Sequence, residues 1–302
     1  CTAVAPQTQM FSSSTRAVIN RVGTGDPSTT VNYVTIASQG NGIDYADLVA
    51  GLSTGTAAAT SNSVRGIVAG GDDNSGNINV IQYINIPTGG NFTDFGDLQA
   101  AKEDVAGCSH AHGGLNEGYQ GTRIAPIPQG GGSGQRGLFG GGEPAALFLD
   151  YITISTLGNG NDFGALTATR NDGPGGLSSS TRAVFGGGND SGVSDTIDYV
   201  THASLGNAAD FGNLTDARLG CSAFSNDTRG IWAAGKDPGE SNIIDYITIA
   251  TAGNATDFGD ATVARGAPHG RGMSTTRGLC AGGGSPSPGN VIDYVTIAST
   301  GD

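Results

Sequence analysis

The sequence predicts an all-β protein, folded as a six-bladed β-propeller with four antiparallel strands per blade. Three observations favour this prediction. One phrase recurs along the chain, turn-forming residues separate short apolar segments throughout, and glycine is abundant, at 53 of 302 residues. Short strands joined by many tight turns have this composition. Because repeats that span a whole chain form one closed or stacked array, we expect a single domain over residues 1–302.

The recurring phrase places a tyrosine third and an aromatic residue near its end. It reads VNYVTIASQGNGIDYADL at 31–48, IQYINIPTGGNFTDFGDL at 81–98, LDYITISTLGNGNDFGAL at 149–166, IDYVTHASLGNAADFGNL at 197–214 and IDYITIATAGNATDFGDA at 244–261. The tyrosine column is Tyr33, Tyr83, Tyr151, Tyr199, Tyr246 and Tyr294, and an arginine column keeps the same spacing at Arg16, Arg65, Arg136, Arg182, Arg229 and Arg277. Both columns indicate six repeats of about 48 residues, with one insertion in the third repeat.

Each repeat predicts four strands, which the fourth repeat shows most clearly. A glycine-rich strand follows Arg170, and the turn SSST leads to the apolar strand RAVFGGG. The alternating segment IDYVTHAS is the third strand, and DFGNLT is the fourth. We expect the glycines after the second strand to adopt positive φ or to allow close backbone approach. Four short strands separated by turn residues are what a propeller blade requires.

The repeats place the blades at approximately 1–50, 51–98, 99–166, 167–214, 215–261 and 262–302. The last phrase, VIDYVTIASTGD at 291–302, ends before its DFGDL segment, so we expect the sixth blade to lack its outer strand. Proteins normally cover or pair such an edge. We expect either residues beyond one end of this chain or a neighbouring chain to do so, and favour the first.

The repeat resembles the kelch repeat. The matching segments are IVAGG at 67–71, LFGGG at 138–142, VFGGG at 184–188 and LCAGG at 279–283, each followed by a strand that contains the tyrosine. Two features depart from the kelch pattern: phenylalanine stands where kelch repeats usually carry tryptophan, and the first repeat has VINRVG in place of the double glycine. The phrase IDYVTIAS followed by GNATDFGDLT-like segments is also similar to repeats in structural proteins of bacteriophages and related viruses. The resemblance implies a propeller, and it implies function only loosely.

Composition and charge disfavour several classes of partner. The net charge is −13, with Lys102 and Lys236 the only lysines, which disfavours nucleic acid and anionic membranes. No apolar run is long enough to span a bilayer. The four cysteines, Cys1, Cys108, Cys221 and Cys280, show no paired spacing, and we expect buried free thiols. We therefore expect no nucleic-acid partner and no membrane insertion.

Few residues suggest catalytic or metal chemistry. Cys108, His110 and His112 alternate along one segment and could face a soft metal, but the segment offers no clear fourth ligand. Acidic loops at 70–77 and 187–195 could hold calcium, although neither matches a calcium-loop pattern. We expect no catalytic residue, no metal and no cofactor. The recurring arginines, tyrosines and aspartates are interpreted as structural, with the aspartates bonded to turn amides.

The insertion at 110–135 is the strongest candidate for a binding site, since long loops inside a regular array are usually functional or disordered. Its apolar and polar side chains suit a contact with a protein or a ligand. The candidate binding residues are Asn116, Glu117, Tyr119, Arg123, Ile124 and Ile127.

The sequence thus predicts a propeller that binds or builds rather than catalyses. The expected setting is extracellular or on a virion surface, as a tail, fibre or capsid-decoration protein within a larger assembly. Its expected partners are other virion or surface proteins and a host-surface protein or glycan. A secreted or cell-surface lectin-like protein is the alternative, for which a sugar site with exposed aromatics would be diagnostic. An enzyme at the propeller face would instead need converging acids or a metal cluster.

Overall fold

A computed structural model gives the structure of the chain. It describes residues 8–13, 15–21, 27–35, 41–53, 57–62, 64–110, 136–144, 146–189, 191–266, 270–273, 276–283 and 291–301. Among these residues no helix is long and apolar enough to cross a membrane.

The described residues form 23 strands in six antiparallel sheets. The first sheet contains β1 (Thr8–Ser12), β2 (Arg16–Arg21), β3 (Ser28–Thr35) and β4 (Ile43–Leu52). The second contains β5 (Ala58–Ser61), β6 (Arg65–Ala69), β7 (Val80–Asn85) and β8 (Thr93–Asp97), and the third contains β9 (Ala106–Ser109), β10 (Arg136–Gly140), β11 (Ala146–Thr153) and β12 (Asn161–Arg170). The fourth contains β13 (Gly175–Ser178), β14 (Arg182–Gly186), β15 (Thr196–Thr201) and β16 (Ala209–Asn213). The fifth contains β17 (Ser222–Ser225), β18 (Arg229–Lys236), β19 (Glu240–Thr248) and β20 (Thr256–Asp260), and the sixth contains β21 (Gly270–Met273), β22 (Arg277–Ala281) and β23 (Ile292–Thr296).

The prediction of a β-propeller is confirmed, but the count of six blades is corrected. Five sheets have the complete four-stranded order, whereas the sheet of the sixth repeat has only the order β21-β22-β23. The reason is that no described segment pairs with the outer side of β23. The described residues therefore form five complete blades and one three-stranded sheet.

The sheets are arranged around a ring of inner strands. Each inner strand contacts the inner strand of the next sheet, in the order β1, β5, β9, β13, β17 and β21, and β21 contacts β1 again. The three-stranded sheet thus lies between the fifth blade and the first. Apolar side chains from neighbouring sheets fill the spaces between them, and Trp232, Phe139 and Phe185 are fully buried there.

The turns after the second strands confirm the prediction about the glycines. Gly70 has φ of +69° and Gly187 has φ of +71°, a region that glycine adopts at little cost. A Cβ at Gly187 would also lie 2.4 Å from the carbonyl oxygen of Arg218. Conformation and close packing therefore both require glycine at this turn.

Candidate functional site

The inner strands surround a narrow central channel. Its cavity measures about 40 Å³ and is lined by residues of all six inner strands, among them Met10, Thr60, Gly107, Gly176, Ala223 and Met273. A cavity needs roughly 10 to 15 Å³ of this volume for each water. The cavity therefore has room for water.

A ring of hydrogen bonds joins the inner strands at one end of this channel. The Ser61 hydroxyl donates to the carbonyl of Ser12 at 2.7 Å, and the Ser109 hydroxyl donates to the carbonyl of Ser61 at 2.6 Å. Ser178 donates to Ser109 and Ser225 donates to Ser178 in the same way. The Ser12 hydroxyl donates to the carbonyl of Met273 at 2.9 Å, which links the first blade to the three-stranded sheet.

The residue that interrupts this serine ring is Met273. It has no hydroxyl group, and the N–H of Ser225 lies 3.3 Å from its sulfur. Sequence reasoning missed the ring, although Ser12, Ser61, Ser109, Ser178 and Ser225 recur about every 48 residues apart from the insertion that separates Ser109 from Ser178. The serines were missed because serine near a turn is normally interpreted as turn chemistry.

The arginine and tyrosine columns form a clamp between adjacent sheets. The Arg229 guanidinium lies 4.4 Å from the centre of the Tyr246 ring and donates to the carbonyl of Ile297 at 3.0 Å. Arg182 lies 4.5 Å from the Tyr199 ring and donates to the carbonyl of Ile249 at 2.9 Å. Arg16, Arg65 and Arg136 make equivalent pairs of contacts. Because the tyrosine belongs to the same sheet and the carbonyl to the next, each arginine joins two sheets.

The aspartates that precede four of the six tyrosines form ion pairs between blades. The Arg170 guanidinium, at the end of the third blade, donates to Asp198 of the fourth blade at 2.7 Å, and both side chains are fully buried. Arg218 and Asp245 form the same buried pair. The pairs Lys102 with Asp150 and Arg265 with Asp293 repeat it. These aspartates are therefore ion-pair partners between blades, and two of them also accept backbone N–H groups, Asp198 from Thr167 and Asp245 from Thr215.

The aspartates of the DFG segments behave as predicted. Asp210 accepts a hydrogen bond from the N–H of Gly212 at 3.1 Å, and Asp257 accepts one from Gly259 at 3.1 Å. The two aspartate columns therefore differ because only the first lies beside a cation of the preceding blade.

The junction between the first and second blades lacks the ion pair. Leu52 stands at the position of the cation and Gln82 at the position of the aspartate, and both are fully buried. The Gln82 carbonyl oxygen accepts the N–H of Val49 at 2.7 Å, and its amide donates to the carbonyl of Ala50 at 3.1 Å. Both charges are thus absent together, which avoids a buried charge without a partner.

The segment considered for a soft metal places His110 beside the first residue of β10. The Nδ1 atom of His110 lies 3.3 Å from the N–H of Arg136, at the position where Asn226 accepts the N–H of Arg229 at 2.7 Å. The His110 ring packs 4.8 Å from that of His202. His112 lies outside the described residues, among which no group of three His, Cys, Asp or Glu side chains is placed to hold a metal.

Cys108, Cys221 and Cys280 are buried and form no disulfide, which confirms the prediction of buried thiols for these three; Cys1 lies outside the described residues. Burial raises the pKa of the Cys280 thiol. A thiol that stays protonated at neutral pH is a poor nucleophile.

Acidic side chains gather where the loops after the second strands meet the ends of the fourth strands. Burial raises the pKa of Glu103, and the nearby carboxylates of Asp104, Asp72, Glu143 and Asp172 raise it further. In the loop at 70–77, Asp72 accepts the Ser53 hydroxyl at 2.7 Å and Asp73 accepts the Ser75 N–H at 2.9 Å. Hydrogen bonds to its own loop thus occupy oxygens of both carboxylates.

The predicted binding residues all belong to the insertion. Asn116, Glu117, Tyr119, Arg123, Ile124 and Ile127 all lie within 111–135, outside the described residues. Their role as a contact site stays a prediction.

Comparison with known proteins gives the fold alone. No protein-family model matches the chain, and no curated protein matches it. The solved structure of YjhT superimposes with a TM-score of 0.71 over 98% of this chain and 96% of that chain, at 12% sequence identity. The chain is therefore similar to YjhT in its β-propeller fold.

Proposed function

We propose that this chain is a kelch-like, non-catalytic propeller that serves as a structural and attachment module of a virion, in a tail, fibre or capsid decoration. One observation carries the non-catalytic part of the proposal. The polar side chains that recur in the repeats are engaged in contacts between sheets: arginine clamps, buried ion pairs and the serine ring. Catalysis needs a group that is free to meet a substrate.

The likeness of the repeated phrase to phage structural repeats supports the virion setting. A net charge of −13 further favours partners that are neutral or basic over polyanions. Within the chain, the insertion at 110–135 is the segment that departs most from the repeat, and we assign the attachment contact to it.

A binding experiment tests this assignment. The labelled chain is incubated with intact bacterial cells and, separately, with immobilised bacterial surface polysaccharides. In a matched variant, Asp-Thr replaces residues 111–135, reproducing the short turn at Asp227 and Thr228 of the fifth blade. The expected result is cell binding by the parent chain and at least tenfold weaker binding by the variant at an unchanged melting temperature.

Other outcomes contradict the proposal in different ways. Saturable binding of purified polysaccharide that the short-turn variant retains would favour the lectin-like alternative, with a site outside the insertion. Equal binding of both chains to cells would remove the insertion from the contact. Binding to none of these surfaces would contradict the attachment function.

A further inference from the structure

The outer edge of β23 exposes apolar side chains that the other sheets bury. Ile292 is 55% exposed, whereas its counterparts Ile81, Leu149, Ile197 and Ile244 are between 0% and 2% exposed. Tyr294 is 59% exposed. This exposed strand edge, Ile292–Thr296, is called the β23 edge below.

In the complete blades, the outer strand covers this position. Phe258 of β20 packs edge-on against Tyr246 with ring centres 6.0 Å apart, and it shares a buried cluster with Ile244. Phe211 and Tyr199 make the same contact at 5.7 Å, as do Phe163 with Tyr151 and Phe95 with Tyr83. No described residue therefore supplies the β23 edge with the phenylalanine that four of the five complete blades have.

The backbone of the β23 edge is also prepared for pairing. The N–H of Gly282 donates to the carbonyl of Val291, and the N–H of Ile297 donates to the carbonyl of Thr276, so both residues bond toward β22. Because alternate residues of an antiparallel strand bond to opposite neighbours, the N–H groups of Ile292 and Tyr294 point to the open side. In the fifth blade the counterparts Ile244 and Tyr246 pair with Gly259 and Thr256 of β20.

The loop after β23 lies where, in other blades, the chain is about to enter the outer strand. The N–H of Gly301 donates to the carbonyl of Phe258 at 2.9 Å. Gly206 and Gly253 make the same bond to Phe163 and Phe211 of their preceding blades, and their outer strands begin at Ala209 and Thr256. The three-stranded sheet thus presents a preformed site for one further strand.

We propose that the β23 edge binds one extended peptide segment with the chemistry of the outer strands of this chain, Thr-Asp-Phe-Gly-Asp-Leu. The register follows from the fifth blade: the glycine pairs with Ile292, the aspartate with Asp293 and the threonine with Tyr294. The phenylalanine side chain covers Tyr294 and Ile292, and this contact makes the binding specific. The backbone hydrogen bonds add affinity that does not depend on the sequence of the segment.

The first blade, which adjoins the β23 edge, also predicts the charge of the residue that follows the bound segment. Each outer-strand segment of the second to fifth blades ends at a leucine or, in the fifth blade, at Ala261. Four residues later comes a cation that binds an aspartate of the next sheet; these cations are Lys102, Arg170, Arg218 and Arg265. The sheet that follows β23 is the first blade, which carries the neutral Asn32 at the aspartate position. We therefore expect the segment to carry a neutral residue there, as Leu52 does opposite Gln82.

A peptide and a chain extension test the proposal. The peptide is residues 254–262 of this chain, Asn-Ala-Thr-Asp-Phe-Gly-Asp-Ala-Thr, and its control has alanine for phenylalanine. The extension adds Ala-Thr-Asp-Phe-Gly-Asp-Leu-Thr after Asp302, since Asp302 corresponds to Asn254. Binding is measured by fluorescence anisotropy of the labelled peptide, and stability by thermal unfolding.

We expect saturable peptide binding that weakens at least tenfold in the alanine peptide and in an Ile292→Lys chain. Leu205→Lys, at an exposed loop position of similar exposure, 57%, is the matched control and should leave binding unchanged. The extension should raise the melting temperature by several degrees, and the same extension with alanine for phenylalanine should not. Because the extension needs no bimolecular association, it decides the outcome if the free peptide binds too weakly to measure.

Three results would overturn the proposal. One is an extension that leaves the melting temperature and the exchange of the Tyr294 amide unchanged. Another is equal binding of the phenylalanine and alanine peptides, which would make the contact nonspecific. A third is a dimer of the parent chain that Ile292→Lys converts to a monomer, which would assign the β23 edge to a second copy of this chain.

Discussion

Asn20 is a buried polar residue whose side-chain amide makes no hydrogen bond with the described residues to replace those it would make with water. It is fully buried in β2, and neither side-chain polar atom has a hydrogen-bond partner among the described residues. The same register position holds Ala69, Gly140, Gly186 or Ala233 in other sheets. An unsatisfied buried amide costs about 1 to 3 kcal/mol.

We therefore expect Asn20→Ala to raise the free energy of unfolding by about 1 kcal/mol in urea denaturation, because the gain in desolvation outweighs the lost contacts. Gln82→Ala is the control. Its buried amide is bonded to Val49 and Ala50, so we expect this change to lower the free energy of unfolding by about 2 kcal/mol. A similar loss in both variants would contradict the interpretation of Asn20.

Glu103 should make the free energy of unfolding fall as the pH rises. Burial and neighbouring carboxylates raise its pKa above 4.5 in the folded chain, so the folded state binds the proton more tightly than the unfolded state does. Stability is then lost as the pH rises from about 4.5 through the raised pKa. Glu103→Gln should be more stable than the parent at pH 7 by up to about 1 kcal/mol, with no difference below pH 4.

Asp73 provides a control of opposite sign. Hydrogen bonds from Ser75 lower its pKa below 3.8, so its carboxylate stabilises the folded state at neutral pH and stops doing so as the pH falls through the lowered pKa. Asp73→Ala should therefore be less stable than the parent at pH 7. Parallel pH profiles for the two variants would show that the local carboxylates do not determine these effects.

At the scale of strands and junctions, the buried ion pairs give the sharpest test. Arg218 and Asp245 join the fourth and fifth blades, whereas Leu52 and Gln82 occupy the same positions between the first and second. Removing one member of a buried pair costs roughly 3 to 5 kcal/mol, but replacing both can be nearly neutral. Replacing an ion pair by leucine and glutamine, or the reverse, should therefore be tolerated only when both residues are changed together.

We expect Arg218→Leu and Asp245→Gln to destabilise the chain strongly as single changes and to restore most of the loss when combined. The coupling energy from a double-mutant cycle should exceed about 3 kcal/mol, because each single change costs at least that much and the double change costs less than either. The reverse exchange, Leu52→Arg with Gln82→Asp, should give coupling of the same sign. Additive single effects at either junction would contradict the ion-pair interpretation.

The strands could be predicted from the sequence, while the contacts between sheets could not. Apolar alternation and the turn residues identify the four strands of each repeat, because both signals lie within a few residues of one another. The partner of Asp198 is Arg170, 28 residues earlier in a different sheet, and no local pattern connects them. The serines of the ring bond to the inner strands of adjacent sheets, about 48 residues away, so no local pattern identifies their role either.

At the scale of the whole molecule, the structure is a ring of sheets with one unequal member. The arginine clamps, the ion pairs and the serine ring all act between adjacent sheets, so each blade is stabilised by its neighbours as in other repeat arrays. The repeated phrase predicts the shortened sixth sheet directly, since VIDYVTIASTGD contains no DFGDL segment. The residues that form the candidate binding site of the insertion lie outside the described part of the chain, and that site stays a prediction.

The measurement that tests this account most directly is amide hydrogen exchange in the chain of 302 residues, resolved to single residues. We expect the N–H groups of Ile292 and Tyr294 to exchange rapidly and those of Asp293 and Val295, which point to β22, to be protected. Ile244 and Tyr246 in the complete fifth blade are the internal controls and should be protected. Slow exchange at Ile292 and Tyr294 would show that the β23 edge is already paired, which would contradict the central claim of five complete blades and one open sheet.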